Sequence, residues 1–270
     1  MASSALIFGG IAFLVILLWL VYRYGLFVPA PEGVPILLYH KVSASDCDAL
    51  TISVERLDRQ LAYLHSSGYN AITFADLKQS LDALRALPAK PVIVTFDDGY
   101  LSTCELAYPL LAKHGIKATV FLPTAFVGGV AGWAGASEPL MSYEIAAQLA
   151  ETRLIEFGLH SHRHESYEHY SSAQVEADLS DCLRAIEDSG CPFIGVFAYP
   201  YGRLPSDPAA DRGMREFFRR HAIDFALRIG SRINTLPPKD VYALKRTSIR
   251  GTDSFREFKI KLRKGRSKLF

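Results

Sequence analysis

Strand-like and helix-like segments alternate along most of the chain. Between residues 34 and 227, short runs of β-branched and aromatic residues are followed by longer segments whose apolar residues recur at helical spacing. Such alternation predicts an α/β fold with a parallel sheet, either open or closed into a barrel. In both architectures the functional residues gather where the strands end at their carboxyl side.

Polar residues stand at several of these predicted strand ends. A random scatter of polar residues would not place them all directly after strands, so their positions indicate a functional site. They come from four separate segments of the chain: His40, Asp97 with Asp98, His160, and residues 199–202.

Two neighbouring acids follow the most apolar of these strands. Residues 92–96 lead directly into Asp97, Asp98 and Gly99. Adjacent carboxylates repel each other, so a pair at an apolar strand end usually has a cation nearby. Because successive strand residues point in opposite directions, one acid could bind a metal while the other faces a reacting water. The alternative is a solvated Asp-Asp-Gly turn without a ligand.

Three imidazoles lie within five residues, at His160, His162 and His164. Imidazole nitrogen together with carboxylate oxygen suits zinc, and two nitrogens plus one oxygen leave a fourth position open. If this segment forms a helical turn, His160 and His164 can reach one ion while His162 points elsewhere. A solvated polar loop is the alternative, and the nearby pair of acids favours the metal site.

The N-terminal segment is apolar. Residues 5–22 carry no charge and would span about 27 Å as a helix, and Trp19 would fit an aromatic belt. Because no basic region precedes this segment, we expect a retained membrane anchor over residues 1–24 rather than a signal peptide. A linker is expected over residues 25–33. Arg23 weakly favours a cytoplasmic location for the chain beyond the anchor.

The charge distribution excludes one class of partner and leaves another open. The net charge is only +2, so no overall field favours nucleic acid. Residues 259–270 carry six basic side chains and no acid. We expect a frayed, solvated basic tail there, and contact with anionic lipid is the alternative. The oligomeric state cannot be derived from the sequence.

The acid and histidine segments resemble motifs of a known family. Thr95-Phe96-Asp97-Asp98-Gly99 and His160-Ser161-x-x-His164 are similar to the first two motifs of the polysaccharide deacetylases, metal-dependent hydrolases of N-acetylated sugars. Residues 197–202 resemble the third motif. The resemblance implies a distorted (β/α) barrel with fewer than eight strands over residues 34–258. It also implies an N-acetylated glycan as substrate.

The resemblance further implies a role for each motif residue. Asp98, His160 and His164 would bind the metal, usually zinc. Asp97 would be the general base that takes a proton from the attacking water. The backbone N–H of Tyr201 would donate to the oxyanion that forms on the substrate.

The third motif departs from the family pattern. An arginine usually precedes its proline, and here that position is occupied by Ala198. The family arginine would brace the catalytic base. Arg203 or Arg246 could replace it, and the sequence does not decide between them.

The usual late histidine of the family is also missing, because no histidine follows His221. Residues 36–42 resemble the opening strand of the branch that partly deacetylates poly-N-acetylglucosamine in bacterial biofilms. In that branch the motif order is permuted, and a histidine on this strand supplies the acid. The resemblance therefore implies that His40 is the catalytic acid.

Together these features predict a membrane-anchored, zinc-dependent deacetylase of N-acetylglucosamine residues in a bacterial polysaccharide. Its catalytic domain would lie on the extracytoplasmic face of the inner membrane. One alternative keeps the chemistry and changes the substrate to a lipid-linked sugar or a lipopolysaccharide component. The other is a non-catalytic carbohydrate-binding protein on the same fold.

Overall fold

The computed structural model describes residues 2–24, 31–82, 85–133 and 138–266. Its strands are short, and most of them are separated by helices, as the alternating sequence pattern predicts. In chain order the strands are β1 (Ile36–Tyr39), β2 (Lys41–Ser43), β3 (Thr51–Ser53), β4 (Asn70–Ala71), β5 (Pro91–Phe96), β6 (Ala118–Leu122), β7 (Val130–Ala131), β8 (Glu138–Pro139), β9 (Ile155–Leu159), β10 (Val196–Ala198), β11 (Phe225–Ile229) and β12 (Leu244–Ser248).

Seven of the described strands close into a barrel. They lie in the order β1, β12, β11, β10, β9, β6 and β5, and β5 pairs back onto β1. All pairings around this circle are parallel. The short strand β4 pairs with β5 outside the circle. This arrangement confirms the prediction of a (β/α) barrel with fewer than eight strands.

The barrel strands are buried on both faces. In β5 every residue from Val92 to Phe96 is buried, and the same holds for all five residues of β6. Side chains on one face fill the barrel, and those on the other face contact the surrounding helices. Continuous apolar runs are therefore required here, instead of the alternating pattern of a half-exposed sheet.

Helices cover the outside of the barrel. In α2 the Ser53 side chain accepts a hydrogen bond from the Arg56 backbone N–H and caps the first turn. Three leucines spaced three and four residues apart are buried on one face of this helix. The helices are α1 (Ala2–Tyr24), α2 (Val54–Ser66), α3 (Phe74–Asp82), α4 (Tyr108–His114), α5 (Tyr143–Glu151), α6 (Ser172–Ser189), α7 (Pro208–Arg220) and α8 (Phe255–Lys264), with a π-helical turn at Thr103–Ala107 and 3₁₀ turns at Tyr167–His169 and Pro200–Gly202.

The basic C-terminal segment differs from its prediction. As far as Lys264 it belongs to α8, which begins with a capping box at Ser254 and Glu257. Phe258 and Leu262 are buried against the core, because a spacing of four residues places both on one helix face. A frayed tail is therefore wrong for this part. Residues 267–270 lie outside the described residues.

The N-terminal segment forms α1, as expected from its apolar composition. In the described part of the chain, no helix has the combination of length and apolar character that crossing a membrane requires, so the predicted anchor is not supported. Most of the predicted linker, residues 25–30, lies outside the described residues.

Candidate active site

The predicted site residues converge at the carboxyl ends of the barrel strands. They line one cavity of about 380 Å³, which the Trp133 side chain also borders. Four separate chain segments contribute, as their positions after strands require. The residues brought together are His40, Asp97, Asp98, His160, His164 and Tyr201.

The two acids face the same cavity because the backbone turns at Asp98. β5 ends at Phe96, and Asp98 adopts the left-handed conformation with φ 72°. Gly99 follows with φ 68°, and a Cβ there would lie 2.3 Å from the Leu122 side chain. The expectation that the acids point in opposite directions assumed that the strand continues through both residues. Because β5 ends at Phe96, the alternation of an extended strand does not apply to Asp97 and Asp98. Each acid nevertheless has its own partners.

Asp98 lies between the two histidines. Its Oδ1 is 3.4 Å from Nε2 of His160 and 3.1 Å from Nε2 of His164, and all three side chains are buried. Ligands 2.0–2.1 Å from a tetrahedral zinc ion lie roughly 3.3–3.4 Å apart. The donor atoms therefore already stand at about the separation that one ion requires, and these residues fit a metal.

Hydrogen bonding leaves the inward nitrogen of His160 available. Its Nδ1 lies 2.7 Å from the Ala198 carbonyl oxygen, which can only accept, so Nδ1 carries the proton. Once the ring has lost its second proton, the lone pair of Nε2 faces the cavity. The His164 ring stacks on Trp133 at 4.1 Å, and its buried Nδ1 has no hydrogen-bond partner among the described residues.

The pKa shifts favour the protonation states that a metal needs at two of the three residues, Asp98 and His164. Burial opposes the charge of Asp98, but hydrogen bonds from both imidazoles outweigh it and hold the pKa of Asp98 well below its usual range. Burial also dominates at His164 and lowers its pKa. At His160 burial opposes the charge, but the carboxylates of Asp97 and Asp98 together outweigh it and raise the pKa of His160. Binding of a metal would therefore displace a proton from His160.

Asp97 is paired with a buried arginine. Nη1 and Nη2 of Arg246 lie 2.5 and 2.7 Å from the two carboxylate oxygens, and Arg246 is 0% exposed. Burial alone would raise the pKa of Asp97, but the guanidinium lowers it below the usual value. Of the two arginines considered from the sequence, Arg246 is therefore the one that contacts Asp97. Arg203 instead lies at the surface and contacts Glu168 at 3.4 Å.

The sequence did not distinguish Arg246 from Arg203 because the contact is long-range. Arg246 lies on β12 and crosses the barrel interior to reach Asp97, 149 residues away in the chain. Its guanidinium lies 5.5 Å from the Phe121 ring inside the barrel. The available signal was an arginine among the β-prone residues 241–249, because a charge inside a buried strand is costly unless it is paired.

The histidine segment is a turn rather than a helix. Ser161 and His164 both adopt left-handed backbone conformations, with φ of 64° and 54°. The helical turn considered for this segment does not form, although His160 and His164 still face Asp98. His162 points elsewhere, as predicted, and its Nδ1 lies 2.9 Å from the Thr124 hydroxyl.

The remaining two site residues lie beside Asp98, His160 and His164. His40 is partly buried and follows β1 directly. Tyr201 has φ 56° within the turn that follows β10, and its ring lies 5.1 Å from the His164 ring. The third motif is thereby folded against the second, and Tyr201 lines the cavity.

Comparison with known proteins agrees with this geometry. Residues 85–216 match the family model described as polysaccharide deacetylase. The chain carries a polysaccharide deacetylase domain. YxkH of Bacillus subtilis is 25% identical over 173 residues, which cover 64% of this chain and 58% of YxkH. A poly-β-1,6-N-acetyl-D-glucosamine N-deacetylase of Staphylococcus aureus is 26% identical over 180 residues, which cover 63% of this chain and 60% of that protein.

A solved structure shares the fold of this deacetylase domain. IcaB from Ammonifex degensii superposes with a TM-score of 0.67 at 24% identity, covering 86% of this chain and 96% of IcaB. The similarity extends beyond the segment that matches the family model and includes most of the barrel.

Proposed function

We propose that this domain removes N-acetyl groups from N-acetylglucosamine residues of a bacterial polysaccharide, with zinc as its metal. The observation that carries the proposal is the division of the two neighbouring acids. Asp97 contacts Arg246, whereas Asp98 lies between His160 and His164. A base and a metal ligand side by side are what the hydrolysis of an acetamide needs, and the name of the Staphylococcus relative supports the sugar.

Asp98, His160 and His164 would hold the metal. A divalent ion there would polarise the acetamide carbonyl and lower the pKa of the attacking water. Contacts within the protein position these side chains, because Asp98 lies within 3.4 Å of both Nε2 atoms and the Ala198 carbonyl fixes the His160 ring.

Asp97 would act as the general base. Its lowered pKa keeps it ionised at neutral pH, so it can accept a proton from the attacking water. The two hydrogen bonds from Arg246 fix the plane of the carboxylate. Arg246 therefore orients the base and compensates its buried charge.

His40 and Tyr201 would complete the reaction. The backbone N–H of Tyr201 would donate to the oxyanion of the tetrahedral intermediate. His40, which lines the same cavity, would protonate the departing amine. We also propose that the domain works outside the cytoplasm, because bacterial polysaccharides of this class lie there.

The decisive experiment compares Asp97→Asn with the wild type on N-acetylglucosamine oligomers, by free-amine release and by zinc content. We expect Asp97→Asn to retain zinc and to lose at least about 100-fold in rate, the lower range for a general base. Asp188→Asn, at an exposed position on α6, is the matched control and should keep both. A wild-type rate in Asp97→Asn would refute the base assignment.

The same assay separates the alternatives. If the zinc-loaded wild type releases amine only from lipid-linked sugars, the polysaccharide is the wrong substrate. If it binds the oligomers and releases no amine from any substrate, the domain is a carbohydrate-binding protein and the enzyme proposal fails.

A further inference from the structure

A buried carboxylate on α6 holds the backbone of the histidine segment. Asp178 is 4% exposed and is not one of the residues that line the cavity. Its Oδ2 accepts hydrogen bonds from the His162 backbone N–H at 2.9 Å and from the Tyr167 hydroxyl at 2.6 Å. Its Oδ1 accepts one from the Arg163 backbone N–H at 3.0 Å.

The two amides lie between the proposed ligands His160 and His164. This segment belongs to no helix or strand, so its N–H groups need partners from elsewhere. The next amide, that of His164, donates to the Ser161 hydroxyl at 2.9 Å. Three consecutive N–H groups are therefore satisfied by side chains, and two of these three bonds go to Asp178.

The segment needs such support because its backbone is strained. The left-handed conformations at Ser161 and His164 are unfavourable for residues with a Cβ and persist only where the surroundings impose them. Asp178 binds the chain between these two positions. The orientation of one ligand relative to the other therefore depends on a carboxylate that touches neither ring.

The chemistry of Asp178 cannot be reproduced by an amide. All three of its donors are neutral groups that each require an acceptor. An asparagine offers one oxygen, and its NH₂ group would face an N–H or O–H donor. The isosteric change to asparagine thus removes one acceptor atom while it preserves the size of the side chain.

We propose that Asp178 is a positioning residue that sets the metal affinity of the site by fixing the backbone between His160 and His164. The inference rests on the proposed metal site. It assigns to α6, which contributes no ligand, a share in holding the ion.

The test measures zinc affinity by competition with a chelator, together with thermal unfolding with and without zinc. We expect Asp178→Asn to bind zinc about 10- to 100-fold more weakly, the usual cost of removing a group that orients a ligand. Tyr167→Phe removes one donor to the same carboxylate and should weaken zinc binding by a smaller factor. Asp181→Asn, one turn along α6 and paired with Arg184 at 3.2 Å, is the matched control and should bind zinc normally.

The outcomes are distinguishable. If Asp178→Asn unfolds at a lower temperature but binds zinc with wild-type affinity, Asp178 is merely structural and the inference is wrong. If that variant does not fold, Tyr167→Phe decides, and unchanged zinc affinity in it overturns the inference. If the wild type itself binds no zinc, the metal site of the proposed function fails, and the inference fails with it.

Discussion

The carboxylates at the two ends of the barrel have different electrostatic surroundings. At the carboxyl end, Asp97 lies against the guanidinium of Arg246, and its pKa is lowered despite burial. At the amino end, Glu156 accepts hydrogen bonds from the Phe74 backbone N–H and the Thr119 hydroxyl, both at 2.8 Å. Burial dominates there and raises the pKa of Glu156.

The difference shows why Asp97 stays ionised more readily than Glu156. Glu156 and His160 belong to the same chain segment, four residues apart at opposite ends of β9. Neutral donors hydrogen-bond to Oε1 of Glu156 but do not offset the desolvation of the carboxylate. A guanidinium does both for Asp97. The carboxyl end of the barrel therefore stabilises an ionised acid. At the amino end, Glu156 instead links the start of α3 to β6 by hydrogen bonds.

The largest expected effect comes from removing the cation. In Arg246→Met, Asp97 is left buried without a charged partner, so the free energy of unfolding should fall by about 3–5 kcal/mol. Denaturant unfolding measures this. Arg203→Met is the matched control, because its surface pair with Glu168 should change stability by less than about 1 kcal/mol. Equal losses in the two variants would contradict the contrast.

A smaller effect is expected from the metal. Zinc at 100 times its dissociation constant should stabilise the wild type by about 2.7 kcal/mol. His164→Ala should lose most of this gain, because it removes one of the three ligands. His65→Ala, at an exposed position near the end of α2, should retain it. Full zinc stabilisation of His164→Ala would exclude the ligand set, and thermal unfolding with and without zinc decides.

The smallest effect concerns the amino end. The pKa of Glu156 is raised above its ordinary value of 4.5, because burial favours the protonated acid. The protonated acid therefore stabilises the fold fully below pH 4.5, and this stabilisation is lost as the pH rises through the raised pKa. Glu156→Gln cannot ionise, so its stability relative to the wild type should improve from pH 4.5 to neutral pH. The change should be on the order of 1 kcal/mol, comparable to one hydrogen bond.

Unfolding of Glu156→Gln and wild type across this pH range tests that expectation. Glu151→Gln, on the exposed end of α5, should show no such pH-dependent difference. If Glu156→Gln instead loses stability relative to the wild type as the pH rises, Glu156 is held as an anion and the two ends do not differ.

The sequence predicted the parts of this site that depend on local pattern. Alternation of strands and helices indicated the barrel, and residues directly after strands necessarily lie at its carboxyl end. The pair of acids and the histidine segment indicated a metal site for the same reason. These inferences needed only neighbours along the chain.

The parts that were missed depend on contacts between distant segments. The choice of Arg246 over Arg203 required knowing which side chain points into the barrel. The turn at Asp98 and the strained histidine segment depend on tertiary support, such as that from Asp178, which overrides local preference. The basic residues of α8 suggested a solvated tail, so the sequence did not reveal that Phe258 packs this helix against the core.

The most direct test of the metal assignment is a crystal of the wild-type protein soaked in zinc, with anomalous diffraction measured at the zinc edge. We expect one peak bonded to Asp98 and to Nε2 of His160 and His164 at about 2.0–2.2 Å, with Asp97 still paired to Arg246. No peak at this position, or a zinc ion bonded to Asp97 in place of Asp98, would contradict the division of roles between the two acids.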